Sequence, residues 1–169
     1  MYEDIRNTLE LARTSVVKAI NSTMVVAYWE IGQQIAEAIG ERAEYGKNLL
    51  QYLSERLTAE FGKGFAVRSL RNMRQFYQAF PIRSTLRTEL SWSHYRILMR
   101  VEEPQHREFY LKECADESWT IRQLERQVNS FYYERLLATQ KEHRIEIEAE
   151  IHTTEPNKDP RVAMGFNIQ

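Results

Sequence analysis

The chain has a single cysteine, Cys114, so no internal disulfide framework can form, and that thiol content fits a reducing cytosol. The four histidines, His94, His106, His143 and His152, are scattered without metal-ligand spacing, and one cysteine could not complete a zinc set with them. No apolar run approaches the ~20 residues of a membrane span. The opening MYEDIRNTLELAR lacks the apolar core of a signal peptide. A soluble, cytoplasmic protein is expected. Neither a phosphate-binding glycine loop nor a nucleophile elbow occurs, and Gly62-Lys63-Gly64 is too short to be one. The carboxylate pairs Glu102-Glu103 and Asp116-Glu117 fall in polar connectors, where capping and solvation account for them. An enzymatic reading is left without nucleophile, base, metal or cofactor, so a non-enzyme that needs no cofactor is expected.

Acidic residues are missing from one long stretch. Between Phe61 and Thr88 there is none, while Lys63, Arg68, Arg71, Arg74, Arg83 and Arg87 are all cationic. The whole chain carries a net charge of -1, so any affinity for nucleic acid must come from a local patch of this kind. Around the patch, Leu49, Leu50, Leu53, Leu57 and Phe61 recur at helical spacing. Gly62-Lys63-Gly64 stops that helix, and a second stripe runs through Val67, Leu70, Met73, Tyr77 and Phe80 to Pro81. Residues 49–80 thus read as a helix-turn-helix. At ~100° per residue, Arg68, Arg71, Asn72 and Gln75 gather opposite the apolar stripe, with Arg74 on its flank. Arginine forks onto guanine or phosphate, and amides pair with adenine, so this face holds the inventory of a groove reader. A solvated basic helix face would carry the same residues, since the fold alone does not specify DNA binding.

In chain order, Ile5, Leu9, Ala12, Val16 and Ile20 form the apolar face of a first helix, with Asn21-Ser22-Thr23 as the N-cap of a second. The second carries Met24, Val25, Tyr28, Trp29, Ile31, Ile35 and Ile39 around much of its girth, as the spine of this half or a subunit interface. Gly32 within it points to close packing against a neighbour. Gly40 ends it, and ERAEYGKN reads as a polar loop. After Pro81, the connector IRSTLRTEL is expected to bring Arg83 and Arg87 towards the same phosphate surface. Ser91 reads as the N-cap of a short helix with Trp92, Tyr95, Leu98 and Met99. Glu103-Pro104 opens another through Phe109, Tyr110 and Cys114.

The segment Ser118 to Arg135 lays without gaps over Gly64 to Phe80, matching Phe65 with Trp119, Val67 with Ile121, Arg68 with Arg122 and Leu70 with Leu124. A second helix-turn-helix-like unit over 105–137 follows, unless two amphipathic helices align by chance. Its inner face would be Ile121, Leu124, Val128, Phe131 and Tyr132. Arg122, Arg126 and Asn129 would form a second basic surface, with Tyr133 beside them. The tail is undetermined: KEHRIEIEAEIH alternates as a strand does, yet Arg144 and Glu148 also sit four apart as on a helix. Glu155 to Pro160 is linker-like.

AYWEIG, AEYGKNLLQYLSERLTAEFGKGF, LRNMRQFYQAFP, LSWSHYRILMRVE, REFYLKEC and SWTIRQLERQVNSFYYERL occur in that order over roughly residues 5 to 137. Together they resemble the N-terminal domain of the YhcG-type bacterial proteins, a domain of unknown function. The resemblance implies an all-α, DNA-binding module at 1–137 that positions a C-terminal PD-(D/E)xK nuclease bearing the acidic metal site. No such acidic constellation follows Leu137 here, although Asp159-Pro160-Arg161-Val162 resembles the start of the linker into it. The expectation is a truncated gene, a stand-alone module or an excised fragment, with 138–169 as charged tail or linker. The expected function is non-catalytic targeting of duplex DNA through Lys63, Arg68, Arg71, Asn72, Arg74, Gln75, Arg83 and Arg87. The alternative is an interaction or homodimerisation module that docks a separate nuclease or toxin-like partner.

Overall fold

No glycine or proline interrupts residues 2–31, and the chain forms one helix, α1, across Tyr2–Ile39. The two helices expected here are therefore one. Asn21-Ser22-Thr23 is no cap: Thr23 Oγ1 donates back to the Ala19 carbonyl at 2.8 Å, the local bond a mid-helix threonine makes. This computed structural model describes residues 1–40 and 43–154. The linker-like Glu155 to Pro160 and the segment from Asp159 to Val162 lie outside the described residues.

Six more helices follow: α2 (Ala43–Phe61), α3 (Val67–Ala79), α4 (Trp92–Leu98), α5 (Pro104–Asp116), α6 (Ile121–Asn129) and α7 (Tyr132–Thr154), with a 3-10 turn at Arg83–Thr85. Among the described residues there is no strand, so the fold is all-α. The chain divides into one unit from Met1 to Ser130 and another from Phe131 on.

Much of the expected polar loop ERAEYGKN is the first turns of α2. Gly46 does not break that helix. It is buried, and a Cβ there would meet Ile39 Cγ2 at 2.9 Å, so it serves a close approach to the end of α1. Gly62 and Gly64 do punctuate, with φ of 80° and 126°, values open to glycine at little cost. Pro81 follows α3 directly, and Pro104 stands at the start of α5.

Packing centres on α1 and α3. A Cβ on Gly32 would stand 2.0 Å from the Met73 carbonyl oxygen, so the two backbones touch where only glycine fits. Around this crossing Ile35, Ile39, Leu50, Leu70 and Met73 form a buried cluster. Beside it Phe76, fully buried, has its ring 4.8 Å from Tyr95, 5.3 Å from Trp92 and 5.7 Å from Phe80, tilted and edge-on as aromatic quadrupoles prefer. Trp29 Nε1 donates to the Phe80 carbonyl at 2.6 Å. Arg107 closes the far side, donating to the carbonyls of Ala79 (3.1 Å), Val101 (3.0 and 2.8 Å) and Glu102 (3.1 Å).

Of two apolar stripes read from the sequence, one is exposed and the other only partly buried. Residues 2–21 of α1 are exposed throughout, so Ile5, Leu9, Ala12, Val16 and Ile20 form a stripe that the described residues do not cover. On α6 only Leu124 is buried, Ile121 is exposed, and the helix stops at Asn129. Phe131, assigned to its inner face, has a left-handed φ of 52° and is exposed. Of the pairs matched between α3 and α6, Leu70 and Leu124 are both buried and Arg68 and Arg122 both exposed, while Ile121 is exposed where Val67 is half-buried. The second unit's α7 runs through the alternating KEHRIEIEAEIH to Thr154 as helix. Nothing among the described residues offers a strand there a partner, whereas a helix satisfies its own backbone groups.

Candidate nucleic-acid interface

With Leu70, Met73 and Phe76 drawn into the core, the helical repeat turns Arg68, Arg71 and Gln75 outward on one exposed face. Asn72, half-buried, lies on the flank towards α4. Arg74, also half-buried, lies on the opposite flank near α1, and its Nε is buried with no hydrogen-bond partner among the described residues. Lys63 is exposed in the turn that leads into α3.

Two arginines that the sequence reading passed over complete the face. Arg96 of α4 and Arg100 just beyond it line a cleft of about 210 Å³ together with Arg68, Asn72, Gln75 and Met99. Gln75 Nε2 donates to the Met99 carbonyl at 3.5 Å across it. A neighbouring cleft of about 370 Å³ shares Arg68, Asn72 and Arg96 and is walled by Tyr28 and Trp92. The signal for Arg96 was present: with Tyr95, Leu98 and Met99 inside, the wheel of α4 places Arg96 outside. That α4 would lie beside α3 was not visible locally.

The connector separates rather than gathers its cations. Arg83 Nη1 forms an exposed ion pair with Glu30 of α1 at 3.0 Å and does not line the α3–α4 cleft. Arg87 lines another cleft, of about 650 Å³, with Arg107 and Lys112. Its backbone is fixed by Tyr95, whose Oη accepts from the Arg87 N–H at 2.6 Å and donates to the Arg87 carbonyl at 3.3 Å. Burial pushes that phenol up to about 12. Arg122, Arg126 and Asn129 are exposed on α6, as the wheel indicated. Arg100 has a carboxylate in reach, Glu125 at 3.5 Å. Among the described residues, Arg68, Arg71, Arg74 and Arg96 have no salt-bridge partner. Unneutralised guanidinium groups flanked by amides can fork onto phosphate oxygens and base edges.

One cluster has the residue types of a nucleophilic pair. Cys114 Sγ lies 3.8 Å and His94 Nε2 3.1 Å from the same Trp119 carbonyl oxygen. The Ser91 N–H, which can only donate, meets His94 Nδ1 at 3.1 Å, so the ring proton sits on Nε2 and is given to Trp119. Burial lowers the imidazole pKa and pushes the Cys114 thiol up to about 11. A neutral thiol beside a histidine with both nitrogens engaged is built for packing, not attack. Among the described residues no helix is long and apolar enough to cross a membrane.

The DUF1016 N-terminal domain model matches residues 4–135. A protein of Escherichia coli (strain K12) named "Putative nuclease YhcG" is 33% identical over 172 residues, covering 81% of this chain and 46% of that protein. The chain therefore spans less than half the length of this curated relative. No solved structure shows a significant match.

Proposed function

The chain belongs to the DUF1016 N-terminal domain family, and from that premise we propose that it is a DNA-targeting module in which α3 and α4 hold duplex DNA. The observation that carries the reading is the face shared by Arg68, Arg71, Asn72, Gln75 and Arg96, where all three guanidinium groups lack an acidic partner among the described residues. In this reading α2, the glycine turn and α3 work as a helix-turn-helix. Arg71, Gln75 and Asn72 face base edges, while Arg68, Arg96, Lys63 and Arg74 lie along phosphates. Arg87 contributes only if the DNA path bends towards the Arg107 cleft. Arg83 drops out of the set, because Glu30 already holds it. The reducing cytosol suits the one cysteine, buried and never needed for a disulfide. Cleavage belongs to the part of such nuclease-named proteins that this chain does not span, or to a separate partner. The module itself supplies position.

Fluorescence anisotropy with a labelled random-sequence duplex across a salt series tests this. Non-specific affinity of ~10⁻⁴–10⁻⁶ M is expected, falling steeply with salt. Replacing Arg68 and Arg96 together by alanine lowers the slope of log K against log salt by about 2, since each phosphate contact contributes about 0.9. Equal slopes for the wild type and this double variant would refute the assigned face.

A further inference from the structure

We propose that α1 pairs antiparallel with α1 of a second copy about a two-fold axis between residues 21 and 22. The stripe that begins at Ile5, Leu9, Val16 and Ile20 is more than half exposed at each of these residues. It does not end where the helix meets the core. Ile5, Val16, Ala27 and Ala38 recur every eleven residues, a period that drifts only ~20° per repeat on a straight helix. The C-terminal half of the same stripe, at Ala27, Ile31, Gln34 and Ala38, forms one wall of an open apolar groove of about 550 Å³. Leu53, Leu57 and Phe61 of α2 form the other wall. Among the described residues, one half of α1 thus projects an apolar stripe without a groove, and the other half lines a groove without an occupant.

The spacing of the stripe identifies the occupant. Read from either end, the steps between its positions are the same, as a two-fold interface between identical surfaces requires. Antiparallel pairing about residues 21 and 22 sets Ile5 opposite Ala38, Leu9 opposite Gln34, Ala12 opposite Ile31, Val16 opposite Ala27 and Ile20 opposite Thr23. Every layer joins a larger side chain to a smaller or more flexible one, the alternation that lets facing helices interdigitate. Parallel pairing would instead set Ile5 on Ile5 and Ala38 on Ala38, which crowds one end and leaves a void at the other. A helix of 38 residues is ~57 Å long, and pairing along it buries on the order of 1,500 Å² in two copies, the size of a standard stable interface. This groove adjoins the α3–α4 face, since Tyr28 lines both it and the cleft of Arg68, Asn72 and Arg96.

The test is the mass of the full chain in solution at micromolar concentrations by light scattering. A dimer is expected. Leu9→Glu with Val16→Glu lies on exposed positions and should weaken it by roughly tenfold or more while circular dichroism keeps its helical signal. Leu11→Glu, more exposed still but off the stripe, should leave the dimer intact. For direction, Ile5→Cys with Ala38→Cys should oxidise to a covalent dimer, and Ile5→Cys alone should not. A monomeric wild type, a Leu9→Glu/Val16→Glu variant that stays dimeric, or cross-linking by Ile5→Cys alone would each overturn the proposal.

Discussion

Gly32→Ala adds one methyl group where α1 and α3 touch, and the structure fixes its cost. The new Cβ would stand 2.0 Å from the Met73 carbonyl oxygen and 2.6 Å from its carbon. Both are backbone atoms of α3, so no rotamer change relieves the contact. Ordinary separation returns only if the helices part by more than roughly 1 Å, a gap at which facing atoms lose a quarter to a half of their dispersion energy. Trp29, Ile35, Leu70, Met73 and Phe76 are buried across or beside this crossing and share that loss. Overpacking of this kind costs about 1–3 kcal/mol and the loosened interface a similar amount. Against this, alanine is favoured over glycine in a helix interior by ~1 kcal/mol. The net expectation is a destabilisation of about 2–4 kcal/mol, enough to lower Tm by about 10 °C in a unit of this size. Gly46→Ala is the matched comparison, because its Cβ would meet only side-chain atoms of Ile39, the nearest at 2.9 Å, and no backbone. Thermal melts of both variants, with urea unfolding to supply the free energies, decide the matter. A Gly32→Ala protein as stable as Gly46→Ala, or more stable than wild type, would refute the close approach of α1 and α3.

The other expectations concern the supports of the α3–α4 face. Arg107 keeps its charge in Arg107→Lys but loses the planar fork that reaches Ala79, Val101 and Glu102 at once. Urea unfolding should show a loss of about 2–4 kcal/mol, with Arg107→Met close to the lysine variant; a lysine variant as stable as wild type would show that charge, not geometry, matters there. His94 ties the start of α4 to Trp119 in its neutral form, and burial holds its pKa below 6.5. The unfolded chain therefore binds its proton first. The stabilisation is whole above pH 6.5 and is lost as pH falls from there through the folded pKa. Urea midpoints at pH 7.5, 6.5 and 5.5 should fall more steeply for wild type than for His94→Gln, and parallel curves would remove His94 from the account.

Where local chemistry decided the structure, the sequence was readable. Gly62 and Gly64 ended α2, Pro81 followed α3, Ser91 and Pro104 opened α4 and α5, and the wheel turned Arg68, Arg71 and Gln75 outward. A capping box also stood in plain view at Thr120 and Gln123, where Thr120 N–H donates to Gln123 Oε1 at 2.8 Å, and it was passed over. Phe76 was missed as well, although it fills the centre of the aromatic cluster. A stripe drawn through Met73, Tyr77 and Phe80 leaves it at the edge, and only the arrival of Trp92 and Tyr95 from a distant segment makes it central.

The harder part was what an apolar stripe faces. Periodicity reports that a helix has an apolar side, not that its own chain covers it. Val25, Trp29 and Ile35 on α1 are buried by the same chain, while Ile5, Leu9 and Val16 on the same helix are not. The same limit hid Arg96, whose outward position follows from α4 alone but whose place beside Arg68 and Asn72 depends on Phe76 joining α3 to α4. Arg83 shows the converse. Its charge and position matched the basic patch, yet Glu30, more than fifty residues earlier in sequence, lies 3.0 Å away and claims it. A run of cations becomes a surface only after tertiary contacts have decided which of them remain unneutralised. In the proposed reading Arg68, Arg71 and Arg96 remain on the face and Arg83, paired with Glu30, does not, so the salt dependence of the Arg68/Arg96 pair, rather than that of the whole basic run, is its sensitive measure.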